Sequence, residues 1–300
     1  MTSVAFVVVT FNSAREITGC LESIAAQGLS DFHIVVVDNA SSDGTASAVQ
    51  RSGIDLTLVS NSRNRGFAAA CNQAVSGIDD GLILLLNPDA RLCPGAVNEL
   101  VSAIESDNRI GIVGPKLKDP GGELLPSAYR FPTVFQDLAF LLGLKSILVS
   151  RPFKWLFGRL LASRFGQFDP HDRRRAVDSV IGACMLIRRD VWMMLGGFDE
   201  RFFLFYEEKD FCKRALAAGF VTVFVPEALA VHEVGASVRL DPVAACVAKR
   251  ASMMRYYRKH KSFWANIVVQ VALMITKLLQ KAKQKVKIWV QLLLRKGPRR

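Results

Sequence analysis

The chain has 300 residues, half of them hydrophobic, which suits one large α/β domain or two small ones with a sizeable core. Its six cysteines are scattered, with no Cys-x-x-Cys pair and no metal-ligand spacing, which argues against a disulfide framework and favours reduced thiols in a cytosolic setting. The net charge of +12 is concentrated in one segment, because 15 of the 39 Lys and Arg lie between Lys249 and Arg300, where no Asp or Glu occurs.

Short apolar runs alternate with helix-length segments from the N-terminus onward. The first run has no positively charged start, so we expect no signal peptide. Continuously apolar strands that alternate with helices predict a parallel sheet covered on both faces. The predicted strands are 4–9, 33–37, 55–59, 82–86 and 110–114, and the predicted helices are 14–27, 43–52 and 67–77. Asn12 with Ser13, and Ser41 to Asp43, are predicted to cap the first two helices.

Residues 132–168 differ in composition from the segments around them. They are apolar, aromatic and basic, and Asp137 is their only acid. This composition predicts a helical insert at the surface. Sheet-like and helix-like segments resume at 176–188, and a helix over 207–218 and a strand over 221–225 follow.

The C-terminal segment has the pattern of a basic amphipathic helix. Apolar residues recur there at steps of three and four, at Val271, Ile275, Leu278, Ala282, Val286, Trp289 and Leu293. A second face carries Lys277, Lys281 and Lys285. The uncharged stretch 263–276 is shorter than the roughly 20 residues that span a bilayer.

This tail has three possible partners. An anionic membrane surface fits best, because its lysines alternate with apolar side chains at helical spacing. The simpler alternative is a helix that packs on the domain and keeps a solvated Lys face. Nucleic-acid binding is not expected, since it would favour a polar, Arg-rich tail.

Two aspartates end predicted strands, where open α/β sheets bind their ligands. Asp38 follows the second strand and Asp89 follows the run 82–86. Asp38 can accept a hydrogen bond from a base or a ribose, although it and Asp43 also fit ordinary turn positions. The chain has neither a Walker A loop nor a G-x-G-x-x-G motif, which disfavours Walker-type NTPases and dinucleotide oxidoreductases.

Seven segments together resemble the inverting glycosyltransferases of family 2. In chain order they are VVVTFNS, VVVDNASSDGT, NRGFAAACN, LLLNPDA, GACMLIRRDVW, GGFDERFFLFYEEKDFCKR and VHEVGAS. The resemblance covers roughly residues 3–260 and is nearest to the bacterial branch that includes rhamnosyltransferases. It implies the GT-A fold: an α/β domain with a Rossmann-like, mostly parallel sheet flanked by helices. We expect this domain at 1–261 and the basic amphipathic helical tail at 262–300.

The resemblance also implies a role for each residue of the site. The nucleotide-sugar would bind at Thr10, Asn12, Asp38, Asp43, Asn64 and Asn87. Asp89 and His232 would hold a divalent metal ion, Mg²⁺ or Mn²⁺. Glu208 would be the general base, with Glu207 as its neighbour. The acceptor would lie near Gly182, Ala183 and Asp199.

Several of these residues also fit a simpler role. Glu207 and Glu208 suit the first turn of any helix, although two adjacent carboxylates also repel, which raises the pKa of one of them. Gly182 suits close strand packing, and His232 alone would be an ordinary structural histidine. The chain departs from the family pattern twice: Asn87-Pro88-Asp89 replaces Asp-x-Asp, and Glu207-Glu208 replaces Glu-Asp.

The resemblance therefore predicts an inverting, metal-dependent transferase. The expected donor is dTDP-L-rhamnose, and the expected acceptor is a lipid-linked saccharide at the cytoplasmic face of the inner membrane, where the enzyme would be peripheral. Two alternatives remain. One is a transferase of the same family that uses a UDP-sugar such as UDP-galactose or UDP-glucose. The other is a non-catalytic, membrane-tethered protein that binds a nucleotide-sugar.

Overall fold

The main feature of the fold is one mixed sheet. The computed structural model describes residues 2–141, 171–233, 241–276 and 278, and within these residues the sheet has ten strands. They are β1 (Val4–Thr10), β2 (Phe32–Asp38), β3 (Thr57–Ser60), β4 (Leu82–Leu86), β5 (Ala90–Leu92), β6 (Ile110–Lys118), β7 (Leu124–Leu125), β9 (Arg175–Val177), β11 (Cys184–Arg188) and β12 (Val221–His232). The short strands β8 (Ala128–Tyr129) and β10 (Ser179–Val180) pair separately.

The strand directions bring the predicted site to one edge of the sheet. The order is β3-β2-β1-β4-β11-β6-β12-β5, and neighbours among the first four strands are parallel. Strand β11 is antiparallel to both β4 and β6, and β5 is antiparallel to β12. The carboxyl ends of β1, β2 and β4 therefore meet at one edge, which is where such sheets bind ligands.

Helices cover the sheet on both faces, as predicted. They are α1 (Ile17–Ala25), α2 (Thr45–Arg51), α3 (Phe67–Val75), α4 (Ala96–Glu105), α6 (Arg189–Leu195) and α7 (Glu207–Ala217). The chain also forms α5 (Val134–Leu141) and α8 (Pro242–His260). Side chains alternate between two buried clusters along β1, with Phe6 in one and Val7 in the other. Every residue of β1 is buried, which explains why its sequence is a continuous apolar run.

The predicted end of the last strand was wrong. Strand β12 continues past 225 to His232, and its pairing with β6 is interrupted between Val225 and Leu229. Pro226 lies in this irregular stretch and hid the continuation, because a proline cannot donate a ladder hydrogen bond. The extension carries His232 to the site.

The predicted helix caps were also wrong. Helix α1 begins at Ile17 after Glu16, and helix α2 begins after Gly44, with no side-chain cap hydrogen bond at either position. The polar residues expected to cap these helices instead link the two loops that follow β1 and β2. Their function is thus to build the strand-end loops.

The described residues divide into two compact units. One contains 2–131, 171–233 and 241–255, and the other contains 132–141, 256–276 and 278. In the second unit α5 begins the predicted insert, whose remaining residues to 168 lie outside the described part of the chain. The tail is helical over 263–276, while 279–300 lie outside the description. The predicted boundary between 261 and 262 stays a prediction.

No described helix is both long enough and apolar enough to cross a membrane. The tail helix nevertheless has two different apolar faces. Val269 and Leu273 are buried, whereas Val271, Ile275 and Leu278 of the predicted face are exposed.

Candidate functional site

The pocket predicted for the nucleotide begins where β1 and β2 end. Thr10 lies directly opposite Asp38, and its hydroxyl donates to Asp38 Oδ1 at 3.2 Å. The Ser41 backbone N–H donates to Asp38 Oδ2 at 3.2 Å, and the Ser41 hydroxyl donates to Oδ1. Asp38 is only 4% exposed, so these donors stabilise a carboxylate that is nearly out of water.

Asn12 and Asp43 tie the two loops together. Asn12 adopts a positive φ of 52°, and its Oδ1 accepts a hydrogen bond from the Ser42 N–H at 2.8 Å. Asp43 accepts hydrogen bonds from the backbone N–H groups of Ala14 and Thr45, at 3.0 and 3.1 Å. Burial works to raise the pKa of Asp43, but bonds from Thr45 and Ala14 outweigh it and hold the pKa below its usual value. Asp43 is therefore ionised at neutral pH and shapes the loop.

The third strand-end loop contains Asn64. Its Oδ1 accepts a hydrogen bond from the Gly66 N–H at 2.9 Å. Gly66 has a φ of 84°, and a Cβ there would lie 2.6 Å from the Phe203 carbonyl oxygen, so only glycine fits. The backbone N–H of Phe67, the first residue of α3, donates to Phe203 O at 2.8 Å, so it is not free to face an anion.

The predicted metal ligands lie side by side. Ala90, which follows Asp89, pairs with His232 across the β5–β12 ladder, and the Glu233 N–H donates to Asp89 O at 2.9 Å. These backbone contacts bring His232 Nε2 to 3.1 Å from Asp89 Oδ1. The other ring nitrogen, Nδ1, has no hydrogen-bond partner among the described residues.

The geometry of this pair fits a divalent cation. Two neighbouring ligands of an octahedral ion at about 2.1 Å are themselves about 3 Å apart, which is close to the separation of Asp89 Oδ1 and His232 Nε2. Among the described residues no group of three or more His, Cys, Asp or Glu is arranged for a metal ion. A cation held here would therefore need further oxygen ligands from a substrate or from water. Carboxylate and imidazole with substrate oxygens form a reasonable donor set for Mg²⁺ or Mn²⁺.

The predicted general base lies at the start of α7. Glu207 and Glu208 are 5% and 6% exposed, and the Oε2 atom of each has no hydrogen-bond partner among the described residues. Burial and the charge of Glu208 raise the pKa of Glu207 well above its usual range. Glu208 Oε1 accepts a hydrogen bond from Lys209 Nζ. The pair therefore differs in its surroundings, although the two residues are adjacent.

The segment predicted for the acceptor connects the metal ligands to the base. The Asn87 N–H donates to Ala183 O at 2.9 Å. Because Asn87 lies two residues before Asp89, this bond holds Ala183 near the predicted metal ligand. A Cβ on Gly182 would lie 3.7 Å from Glu208 Cβ, so this glycine packs directly against the base. Residues 182–183 thus join the two halves of the site.

Asp199 is engaged within its own turn. Its carboxylate accepts two hydrogen bonds from the Arg201 guanidinium, at 2.8 and 2.7 Å. This ion pair gives Asp199 a structural role within the turn. Its contact with the acceptor stays a prediction.

The sequence reasoning did not single out Lys209. It lies directly after the acid pair, and its Nζ is 5.5 Å from the ring centroids of both Tyr129 and Tyr206. A basic residue directly after two acids was the available signal. Its importance appears only in the structure, where its ammonium contacts Glu208 beside two buried carboxyl groups.

Comparison with known proteins decides the family. The family model described as "Glycosyl transferase family 2" matches residues 5–192, which is more than half of the chain. The chain belongs to glycosyl transferase family 2. The predicted family and enzyme class are confirmed, and the matched region includes β2, β4 and β11.

Individual relatives agree with this membership. Over 269 residues the chain is 28% identical to the N-acetylglucosaminyl-diphospho-decaprenol L-rhamnosyltransferase of Mycobacterium tuberculosis, spanning 86% of this chain and 85% of that protein. It is 26% identical over 215 residues to the low-salt glycan biosynthesis hexosyltransferase Agl10 of Haloferax volcanii, spanning 70% of this chain and 61% of that one.

Solved structures confirm the predicted fold class. Mannosyltransferase PcManGT from Pyrobaculum calidifontis, in complex with GDP-Man and Mn²⁺, matches with a TM-score of 0.56 and 20% identity over 95% of this chain and 80% of that one. S. aureus TarS 1–349 in complex with UDP-GlcNAc matches with a TM-score of 0.55 and 16% identity over 91% and 72%. At these identities the likeness shows the fold alone.

Proposed function

We propose that this glycosyltransferase is inverting and metal-dependent, and that it moves L-rhamnose from dTDP-L-rhamnose to a lipid-linked saccharide in bacterial surface-polysaccharide synthesis. One observation carries the proposal. The likeness to the mycobacterial enzyme named for L-rhamnosyl transfer to N-acetylglucosaminyl-diphospho-decaprenol extends over 86% of the chain.

Glu208 is the proposed general base. As the acceptor oxygen forms its bond to the anomeric carbon, its hydroxyl proton passes to the Glu208 carboxylate. The bond between the anomeric carbon and the donor phosphate oxygen breaks, and its electron pair leaves with the nucleoside diphosphate. The unpartnered, buried Oε2 of Glu208 supports this role, because a base needs an oxygen that the protein has not already occupied. Gly182 packs against Glu208 without a side chain, which leaves space for the acceptor hydroxyl.

The donor is proposed to bind across the strand ends. Asp38 is buried and Asp43 is hydrogen-bonded to Ala14, and the two lie in the linked loops. Both carboxylates would accept hydrogen bonds from the nucleoside. Asp89 and His232 would hold the divalent ion, whose chemistry is to neutralise negative charge on the diphosphate as it leaves. Asn87 beside them is uncharged and would donate a hydrogen bond to the donor ribose or to a water.

Site variants test the catalytic roles. With a radiolabelled donor and a polyprenyl-linked acceptor, Glu208→Gln is expected to lower kcat about 10²- to 10⁴-fold, the usual contribution of a general base. Asp89→Ala and treatment with EDTA are each expected to abolish transfer. Glu22→Gln, an exposed acid on α1, serves as the control. Full activity of Glu208→Gln would refute the base assignment, and activity unaffected by EDTA would refute the metal.

Ligand binding identifies the donor. A thermal-shift screen of nucleotide diphosphates and nucleotide-sugars, with and without Mn²⁺, should show the largest stabilisation with dTDP-L-rhamnose, because a ligand that binds only the folded state raises Tm. Preference for UDP-galactose or UDP-glucose would favour the alternative transferase. Binding with no transfer to any acceptor would favour a non-catalytic protein.

We further propose that the enzyme is peripheral at the cytoplasmic face of the inner membrane and docks through its tail. In the tail helix the side chains at steps of four and three form an exposed apolar stripe, which comprises Trp264, Val268, Val271, Ile275 and Leu278. The stripe lies within residues 249–300, which carry 15 basic and no acidic residues. An apolar stripe with such a charge matches a helix that lies in an anionic lipid interface.

Liposome partition tests the docking. The protein is expected to bind anionic vesicles more strongly than neutral vesicles or duplex DNA, and to dissociate as salt is raised. Trp264→Ser with Ile275→Ser should weaken vesicle binding. Met194→Ser removes a side chain that is 65% exposed on α6 and should leave binding unchanged. Equal partition of all variants would refute the stripe, and preference for DNA would refute the membrane.

A further inference from the structure

Only one of the two buried glutamates at the start of α7 has a cation beside it. Lys209 Nζ donates to Glu208 Oε1, and among the described residues no cation forms a hydrogen bond or an ion pair with Glu207. Both carboxylates are at least nine-tenths buried. Two adjacent carboxylates out of water do not readily carry two negative charges, so a cation in contact with one of them makes the two unequal.

Lys209 is held in place from two sides. Its ammonium lies 5.5 Å from the ring centroid of Tyr129 on β8 and 5.5 Å from that of Tyr206, the residue before α7. Cation–π attraction to two rings keeps the ammonium in position. Burial works to lower the pKa of Lys209, but the Glu208 carboxylate outweighs it, so Lys209 is protonated. Its side chain keeps 22% of its surface exposed.

Three other titratable groups near the pair, all among the described residues, are neutral. Burial raises the pKa of Tyr129 despite the opposing charge of Lys209. Burial and the charge of Glu207 raise the pKa of Cys71 on α3. Burial raises the pKa of Cys212, one turn along α7, to about 12. Lys209 is thus the charged group that makes the two carboxylates unequal.

We propose that Lys209 is a positioning residue which holds the Glu208 carboxylate as the proton acceptor, so that the one proton of the pair resides on Glu207. The inference rests on the proposed role of Glu208 as general base. It explains how a glutamate pair in place of Glu-Asp can have one defined base.

The pH dependence of transfer tests the proposal. An opposite charge within about 4–6 Å lowers a carboxyl pKa by about 1–3 units. Lys209→Met should therefore move the acid limb of the kcat/KM profile upward by about 1–3 pH units, and Lys209→Arg should restore it. Lys213→Met is the matched control, since Lys213 lies on the same helix 5.4 Å from the Phe131 ring centroid. An unmoved acid limb in Lys209→Met, with transfer lowered equally at every pH, would overturn the proposal.

Infrared spectroscopy gives a second test that needs no activity and no Lys209 variant. At neutral pH the wild-type protein should show the C=O stretch of a buried protonated carboxyl. Glu207→Gln should remove that band, and Glu208→Gln should keep it. A band that is lost in Glu208→Gln and kept in Glu207→Gln would overturn the proposal. If Glu208→Gln keeps both the band and full transfer, the base assignment fails while the distribution of the proton stands.

Discussion

Replacing Arg214 should test how strongly the start of α7 is anchored. Its guanidinium donates three hydrogen bonds: Nε to Asp210 Oδ2 at 2.8 Å, and Nη1 and Nη2 to the carbonyl oxygens of Leu195 and Gly197, each at 2.7 Å. The Asp210 side chain is 0% exposed and that of Arg214 is 20% exposed. The two bonds to carbonyl oxygens therefore tie α7, which carries the acid pair, to the end of α6 and the loop after it.

Arg214→Met should lower the free energy of unfolding by about 3–5 kcal/mol, because removing one partner of a buried pair leaves an uncompensated charge. A large part of that loss should return when Asp210→Asn is added, since both charges are then absent. Arg201→Met is the matched control. Arg201 also pairs with an aspartate at 2.7 Å, but its side chain is 66% exposed, and such pairs contribute about 0–1 kcal/mol.

Urea denaturation followed by circular dichroism measures both effects. The midpoint should fall much further in Arg214→Met than in Arg201→Met, with the slope m unchanged in both. Equal losses in the two variants would refute the reasoning that burial decides the strength of these pairs.

Three further outcomes follow from the site. Burial and the charge of Glu208 raise the pKa of Glu207. Between the usual Glu range and this raised pKa, the folded protein therefore keeps a proton that the unfolded chain has released. The free energy of unfolding of the wild-type protein should fall as pH rises through this interval. Urea titrations at several pH values should show Glu207→Gln without this fall. Gly66→Ala should cost about 1–3 kcal/mol and weaken donor binding in calorimetry, because its Cβ would meet Phe203 O at 2.6 Å. Asn87→Asp should leave initial rates of transfer largely intact, and an inactive variant would show that the uncharged amide is required.

Much of the sheet could be predicted because its strands are buried on both faces. A continuous apolar run such as 82–86 has few alternatives when helices flank it. The continuation of β12 beyond Val225 could not be predicted, because a proline such as Pro226 usually marks the end of a strand when only the sequence is known. In the structure the strand resumes where Leu229 pairs with Lys116 on β6.

The candidate site was predictable where chain order and topology agree. Asp38 and Asp89 end strands of one parallel group, so their meeting at one edge follows from the strand order. His232 could be placed beside Asp89 only through the family resemblance, since the two lie at distant points of the chain. The importance of Lys209 required the structure, because it depends on the Tyr129 ring, which comes from a separate two-stranded sheet.

The acids of the site are stabilised in different ways, and the difference matches their proposed roles. Asp38 is surrounded by hydroxyl and backbone donors, which stabilise its charge without a cation. Asp89 faces the imidazole of His232, a side chain that commonly ligates metals, so the two together can present ligand atoms to a cation.

Glu208 instead faces an ammonium that cannot leave easily, because two aromatic rings hold it. This contact before any substrate binds suits the role proposed for Glu208 as the base rather than as a metal ligand. Glu207 forms no hydrogen bond or ion pair with Lys209 in the described structure, and burial with the charge of Glu208 favours its neutral form. On the proposed roles, the metal and the proton would go to different carboxylates because each strand end and helix start places different groups beside them.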